Sequence, residues 1–368
     1  MSDAIRLRND HIVYILGAGY SAARGLPLIA DFLNRMRDAA IWCEQSGRNG
    51  EAVAIQEVLK FRLSAAAAAY RIPIDLENIE ELFSLASAAD HRITNSVKVS
   101  IAATIAYCLS KYGAPQLLFS NSTTSAADMR RFARPQDNVG GSTGLLIPLY
   151  DAFAMRLLDA MHPGRSSIIT FNYDNLVERS IEALGGTYHY GVVGRHQVPG
   201  KIPYDKEHGI AILKLHGSVN WAYPGKPGRN FTIFDNYDEV LENQLVPQIV
   251  PPTWNKTIAD RLAEVWAASI ERLSTATKIV VIGFSMPKTD QHFKYLLAAG
   301  LKENFSLREI IFVDPSDAVK GRSPEVLTER EISTGRVSFV KKHLHELLGS
   351  LVNPVLRQYS YQEIERPY

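Results

Sequence analysis

Short, continuous apolar runs alternate with helical patterns along this chain. His11-Ile12-Val13-Tyr14-Ile15-Leu16 is apolar apart from its first residue and lies between a charged leader and Gly17. A run with no polar alternation predicts a strand buried on both faces, as in a parallel sheet. Similar runs occur at Ser166–Phe171, Ile212–Leu215, Lys278–Ile282 and Glu309–Val313. Between them, apolar residues at three- and four-residue spacing predict helices over 30–42, 51–70, 76–112, 145–161, 176–184, 258–274 and 290–301. The alanine run Ala65–Ala69 favours helix, and Asp75 or Asn78 is placed to start the third helical segment. Pro27 is expected to interrupt the first helix or to lie in a loop. Residues 113–143 and 224–257, rich in loop-forming residues, are predicted to be irregular. The alternation predicts an α/β fold, a Rossmann-like doubly wound parallel sheet with a helical insertion. The expected organisation is a domain over 1–350, with the insertion and its long loop at 28–145, and a tail at 351–368. The helical module is expected to serve structure or assembly rather than catalysis.

Composition narrows the function classes. The 368 residues suffice for one large domain or two ordinary ones, and 46% hydrophobic with 21% charged residues is ordinary for a globular chain. Forty Lys and Arg against 39 Asp and Glu give a formal charge of +1, which offers no electrostatic case for nucleic acid or an anionic membrane. The basic cluster Arg130–Arg134 reads as a solvated loop. Cys43 and Cys108 are the only cysteines, so neither a disulfide framework nor a cysteine zinc site is expected, and no metal is predicted. There is no run of 18 apolar residues and no apolar leader segment, so a cytoplasmic protein is expected.

The chemistry gathers where the strands end. In an open α/β sheet, ligands bind at the carboxyl ends of the strands. Gly17-Ala18-Gly19-Tyr20-Ser21 follows the first strand, a strand–glycine–helix order that suits a phosphate. Ala22 occupies the third glycine place of the dinucleotide pattern, so the match is imperfect. Asn172 and Asp174 follow the second run, where Asp174 or Asn175 could equally be a helix cap. His216 and Gly217 follow the third, Gly283 to Ser285 the fourth, and Asp314 to Ser316 the fifth. A lone histidine at a strand end is commonly structural. Five polar strand ends on one sheet edge make His216 a candidate general base, since histidine titrates near neutral pH.

These motifs resemble the sirtuin family. The pieces are Gly17–Ser21 with Gly25-Leu26-Pro27, Thr170-Phe171-Asn172-Tyr173-Asp174, Lys214-Leu215-His216-Gly217-Ser218 and Gly283-Phe284-Ser285, together spanning roughly residues 11–316. The Asn-Tyr-Asp and Ile-Gly-Phe-Ser forms look most like the sirtuin-like NAD hydrolases of bacterial antiphage defence. The resemblance implies that Gly17, Ala18, Gly19, Ser21 and Pro27 bind the diphosphate side of NAD+. It places Asn172 and Asp174 at the nicotinamide and its ribose, and makes His216 the catalytic base. Gly283 and Ser285 would line the ribose and phosphate, and Asp314 the adenosine ribose. Two departures point away from deacylation. Leu28-Ile29-Ala30 stand where classical deacylases carry Asp-Phe-Arg, and no cysteine follows Cys108, so their four-cysteine zinc module is missing. The leading expectation is an NAD+ glycohydrolase used as a regulated defence effector. The alternatives are a deacylase or ADP-ribosyltransferase and a non-enzymatic nucleotide sensor. The resemblance further implies a homo-oligomer, with a separate ATPase or nuclease as a candidate partner.

Overall fold

The computed structural model describes residues 11–89, 91–112, 117–121, 134–135, 144–158, 166–191, 195–196, 209–223, 232–253, 262–286 and 291–348. Strand β1 (Ile12–Leu16) runs into a short helix, α1 (Ala18–Ala22). Four helices follow as a module: α2 (Ile29–Gln45), α3 (Asn49–Ala69), α4 (Ile79–Ala89) and α5 (His91–Tyr112). Strands β2 (Leu117–Asn121), β3 (Arg134–Pro135) and β4 (Gly144–Pro148) form a small antiparallel sheet and lead to α6 (Leu149–Leu158). The chain continues with β5 (Ser166–Thr170), α7 (Leu176–Ala183), β6 (Tyr188–His189), β7 (Arg195–His196), β8 (Ile210–Lys214) and β9 (Gly217–Ala222). Then come β10 (Thr232–Ile233), α8 (Tyr237–Glu242), β11 (Pro247–Ile249), α9 (Ala263–Ser274) and β12 (Lys278–Ile282). The described part ends with α10 (Gln291–Leu301), β13 (Glu309–Val313), α11 (Ala318–Arg322), α12 (Glu329–Ser333), β14 (Val337–Val340) and a helical turn at 344–348.

The main sheet has the order β14-β13-β12-β1-β5-β8-β6, and every pairing in it is parallel. This is the doubly wound α/β fold expected from the apolar runs. β1 lies at its centre because its residues are buried on both faces, with Tyr14 paired to Ile168 on one side and to Val280 on the other. From β1 the chain builds one half of the sheet with β5 and β8, then returns to the opposite side of β1 with β12. That reversal makes the carboxyl edge beside β1 the switch point, where such sheets bind ligands. The ladder also continues one residue beyond the strands. Gly17 N–H donates to Ile282 O, Phe171 N–H to Leu16 O, Leu215 N–H to Thr170 O and Gly283 N–H to Val313 O, all at 3.0–3.1 Å. The candidate turns therefore begin from fixed backbone.

Several elements differ from the sequence expectation. The helix predicted from 145 begins at Leu149, because 144–148 pairs as a strand with Leu117–Asn121. A short apolar run does not by itself separate strand from buried helix. Likewise, 117–121 and 134–135 are strands rather than irregular chain. The supposed loop 224–257 contains β10, α8 and β11, with Asn236 capping α8 through its side chain at 3.0 Å from Glu239 N. Strands of two or three residues are too short to show a period. The third helical segment is two helices, and Asn78 is positioned at its start, accepting from Glu80 N–H at 2.9 Å. Most of the Arg130–Arg134 cluster, residues 258–261 and the tail at 351–368 lie outside the described residues. No helix among the described residues is long and apolar enough to cross a membrane. Both cysteines are buried in the helical module, where burial pushes the Cys43 thiol up to about 12 and Cys108 up to about 11.

Two contacts hold the sheet together from opposite edges. At the amino edge, the buried His11 ring has Ser167 Oγ at 2.9 Å from Nε2 and Thr275 Oγ1 at 3.1 Å from Nδ1. Burial is the main cause lowering its pKa from 6.5 to about 4, with the Arg272 charge adding to it. A base held neutral in the fold stabilises it above pH 6.5 and loses that contribution as pH falls towards 4. Denaturant titrations across this window should show a loss of the order of 3 kcal/mol, and His11→Gln should remove that part of the slope. At the carboxyl edge, Gly283 has φ +60°, and a Cβ there would lie 2.3 Å from Tyr20 N. Gly283→Ala should therefore cost about 3 kcal/mol or more, since it adds a backbone clash to a left-handed conformation. Gly185, with φ +72° and open space around it, is the control; its alanine variant should cost about 1 kcal/mol. Denaturant midpoints at unchanged slope measure both.

Candidate functional site

A cavity of about 750 Å³ opens at the switch point. Its base is formed by the turns after β1, β5, β8, β12 and β13, as the strand-end pattern predicts. The helical module contributes Phe32, Ile79, Glu80, Ile101 and Ile105 to the cavity wall. Asp314, Ser316, Lys342 and His343 also line it.

Asn172 occupies the centre of the hydrogen-bonding pattern. Its Nδ2 donates to Gly17 O at 2.9 Å and to Ser21 Oγ at 3.0 Å. Ser21 Oγ in turn donates to Asp174 Oδ2 at 2.7 Å. Because Gly17 O accepts only and the Ser21 proton is committed to Asp174, the Asn172 amide has one orientation that satisfies the network. Its Oδ1 is left as the acceptor end of a side chain on the cavity wall. Asp174 is buried and also lines the cavity. Its Oδ1 accepts from Leu176 N–H at 3.1 Å, so it holds the start of α7 as well. Asn175 stands at the cap position of that helix without a side-chain cap bond. One carboxylate thus supports the helix start and lines the cavity.

His216 sits in a two-residue step between sheets. β8 ends at Lys214, just before the histidine that the strand was expected to run into, and β9 opens the second sheet at Gly217. Gly217 makes the step possible with φ +79°; a Cβ there would lie 2.0 Å from Gln248 O. The backbone is held on both sides of the ring. Leu215 O accepts from Trp266 Nε1 at 3.2 Å, and His216 O accepts from Val250 N–H at 2.9 Å. The imidazole lines the cavity, edge-on to Phe171 with 5.2 Å between ring centroids. Phe171 also stacks on Phe284 at 4.7 Å, tying the turns after β5 and β12 together.

The glycines of the first turn allow it to pack closely on the turn after β12. Gly17 is buried and packs on the 283–284 backbone; a Cβ there would lie 2.6 Å from Gly283 O. Gly19 N–H donates to Gly283 O at 2.8 Å, and Tyr20 N–H to Gly17 O at 3.0 Å. These amides therefore have protein partners, and the glycines serve the close approach of two turns. Ala18, Gly19, Ser21 and Pro27 do line the cavity, as do Gly283 and Ser285. Arg322 Nη1 donates to Ser285 O at 2.7 Å. Asp314 lines the cavity, and burial is the main cause raising its carboxyl pKa, opposed by the Ser316 N–H and by the charges of Arg322 and His343. Among the described residues, no group of three or more His, Cys, Asp or Glu is arranged to hold a metal ion.

Sequence reasoning missed the residues that shape this space. Phe171 and Tyr173 were within a quoted motif but had no role assigned. Phe32, Ile79, Ile101 and Ile105 carry the ordinary helical signature of a core face, which does not distinguish packing from a cavity wall. His343 and His345, stacked with centroids 5.5 Å apart, come from a segment with no strand-end motif.

No curated protein matches the chain. A Sir2 structure with the inhibitor EX-527, 2′-O-acetyl-ADP-ribose and a deacetylated p53 peptide is 12% identical, with TM-score 0.39 over 95% of this chain and 94% of that one. A Sir2–p53 peptide–NAD+ structure is 11% identical, with TM-score 0.41 over 95% and 93%. The sequence comparison is more specific about where the likeness lies: residues 166–334, which carry Asn172, Asp174, His216, Gly283, Ser285 and Asp314, match the model of the SIR2-like domain.

Proposed function

We propose that this chain is an NAD+ glycohydrolase that releases nicotinamide and ADP-ribose. The observation that supports this best is the convergence of Asn172 and His216 on one cavity within the SIR2-like segment. The likeness to that domain favours an NAD-utilising enzyme, and the missing cysteines favour water as the second substrate. In the proposed reaction the bond between C1′ and the pyridine nitrogen breaks, and its electron pair leaves with nicotinamide, which becomes neutral. The sugar passes through an oxocarbenium-like state. Asn172 Oδ1 holds the attacking water, whose oxygen bonds to C1′. His216 takes the proton released, directly or through a ribose hydroxyl. Asp174 and Ser21 keep the Asn172 amide in its one orientation, and Asp314 meets the adenosine ribose. An enzyme that consumes NAD+ must be restrained in the cell, so control by self-assembly or by a trigger is part of the proposal.

The test is release of nicotinamide and ADP-ribose from NAD+, followed by chromatography. His216→Ala and Asn172→Ala should each lower turnover by about 10²-fold or more while the folded chain still binds ADP-ribose. Equal turnover by wild type and both variants would show that the chemistry lies elsewhere. Binding without turnover under every condition would favour a sensor.

A further inference from the structure

Beneath the Asn172–Asp174 turn is a lysine with no exposed surface. Lys214 ends β8 with its side chain fully buried, and it is not on the cavity wall. Its ammonium donates to the backbone carbonyl of Asp174 and, at 2.9 Å, to the Glu178 carboxylate on α7. Glu178 is itself 2% exposed and accepts from the Tyr190 hydroxyl at 3.3 Å. A methionine would fill similar volume without the cost of burying a charge, so packing alone does not account for the lysine. What it does, and an apolar side chain would not, is hold a peptide carbonyl. That carbonyl belongs to the residue whose carboxylate fixes Ser21, and Ser21 fixes the Asn172 amide. From the other side, Val219 N–H donates to Tyr173 O at 3.0 Å, and Asn175 Nδ2 to Asn220 Oδ1 at 3.0 Å. The turn is thus clamped between β9 and the Lys214 ammonium.

We propose that Lys214 is a positioning residue: it locks the Asp174 peptide so that Asn172 and Asp174 face the cavity in working geometry. The proposal rests on reading the cavity as an NAD+-cleaving site. Two variants separate positioning from plain stability. Lys214→Met removes the donor and leaves the Glu178 charge buried without its ammonium. Lys214→Met/Glu178→Met removes that charge too, and so relieves the electrostatic cost while still lacking the clamp. The measurements are thermal midpoint, amide hydrogen exchange over 172–177 against that of β1, and kcat and KM for NAD+.

The double variant should regain most of the thermal midpoint lost by Lys214→Met. In both variants, exchange over 172–177 should stay at least about 10-fold faster than in wild type, with kcat lowered about 10- to 100-fold and KM changed little, as a small misplacement of reacting groups produces. Should Lys214→Met not fold, the double variant carries the comparison. Recovery of both kcat and local exchange in the double variant would overturn the proposal, because the lysine would then serve only the Glu178 charge. A wild type that does not cleave NAD+ would defeat the hydrolase reading alone; the exchange comparison would still decide whether Lys214 holds the turn.

Discussion

The turns after β1 and β12 touch backbone to backbone, and the site depends on that contact. Gly17 and Gly19 lie against Gly283, with no side chain between them. The contact sets the spacing of two strand ends at the switch point and so the width of the cavity there. It also points Ser21 and the Gly17 carbonyl at Asn172. A methyl group at Gly283 would not simply crowd a neighbour; it would separate the turns that give Asn172 its orientation.

Around this contact the cavity is held by polar groups that are buried and paired. Asp174 answers both Ser21 and the start of α7, and Lys214 answers both Glu178 and the Asp174 carbonyl. Removing one partner of such a pair costs roughly 3–5 kcal/mol, whereas replacing both by apolar residues is often neutral. The pairs are therefore poor evidence for a stability optimum and better evidence for a fixed geometry.

Five strands of the large sheet, β1, β5, β8, β12 and β13, were legible because they read as mostly apolar runs, whereas the short edge strands β6 and β14 were not. The polar strand ends were legible for the same reason: they interrupt those runs. His216 could be named from Leu213–Trp221, but not the change of sheet at that residue, which depends on Gly217 approaching Gln248 from a distant part of the chain. Lys214 was visible only as a polar residue at the end of an apolar run, since its partner Glu178 sits on a separate helix. The helical module's part in the cavity was hidden because a wall residue and a core residue obey the same periodicity. The small strands at 232–233 and 247–249 escaped because pairing with β9, rather than their own pattern, makes them strands.

The product balance of NAD+ turnover tests the central claim most directly. Purified protein incubated with NAD+ in the absence of any acylated peptide, and sampled by mass spectrometry, should give free nicotinamide and free ADP-ribose in equal amounts. Nicotinamide release that requires an acylated peptide, or ADP-ribose recovered only as a protein conjugate, would contradict an enzyme whose second substrate is water.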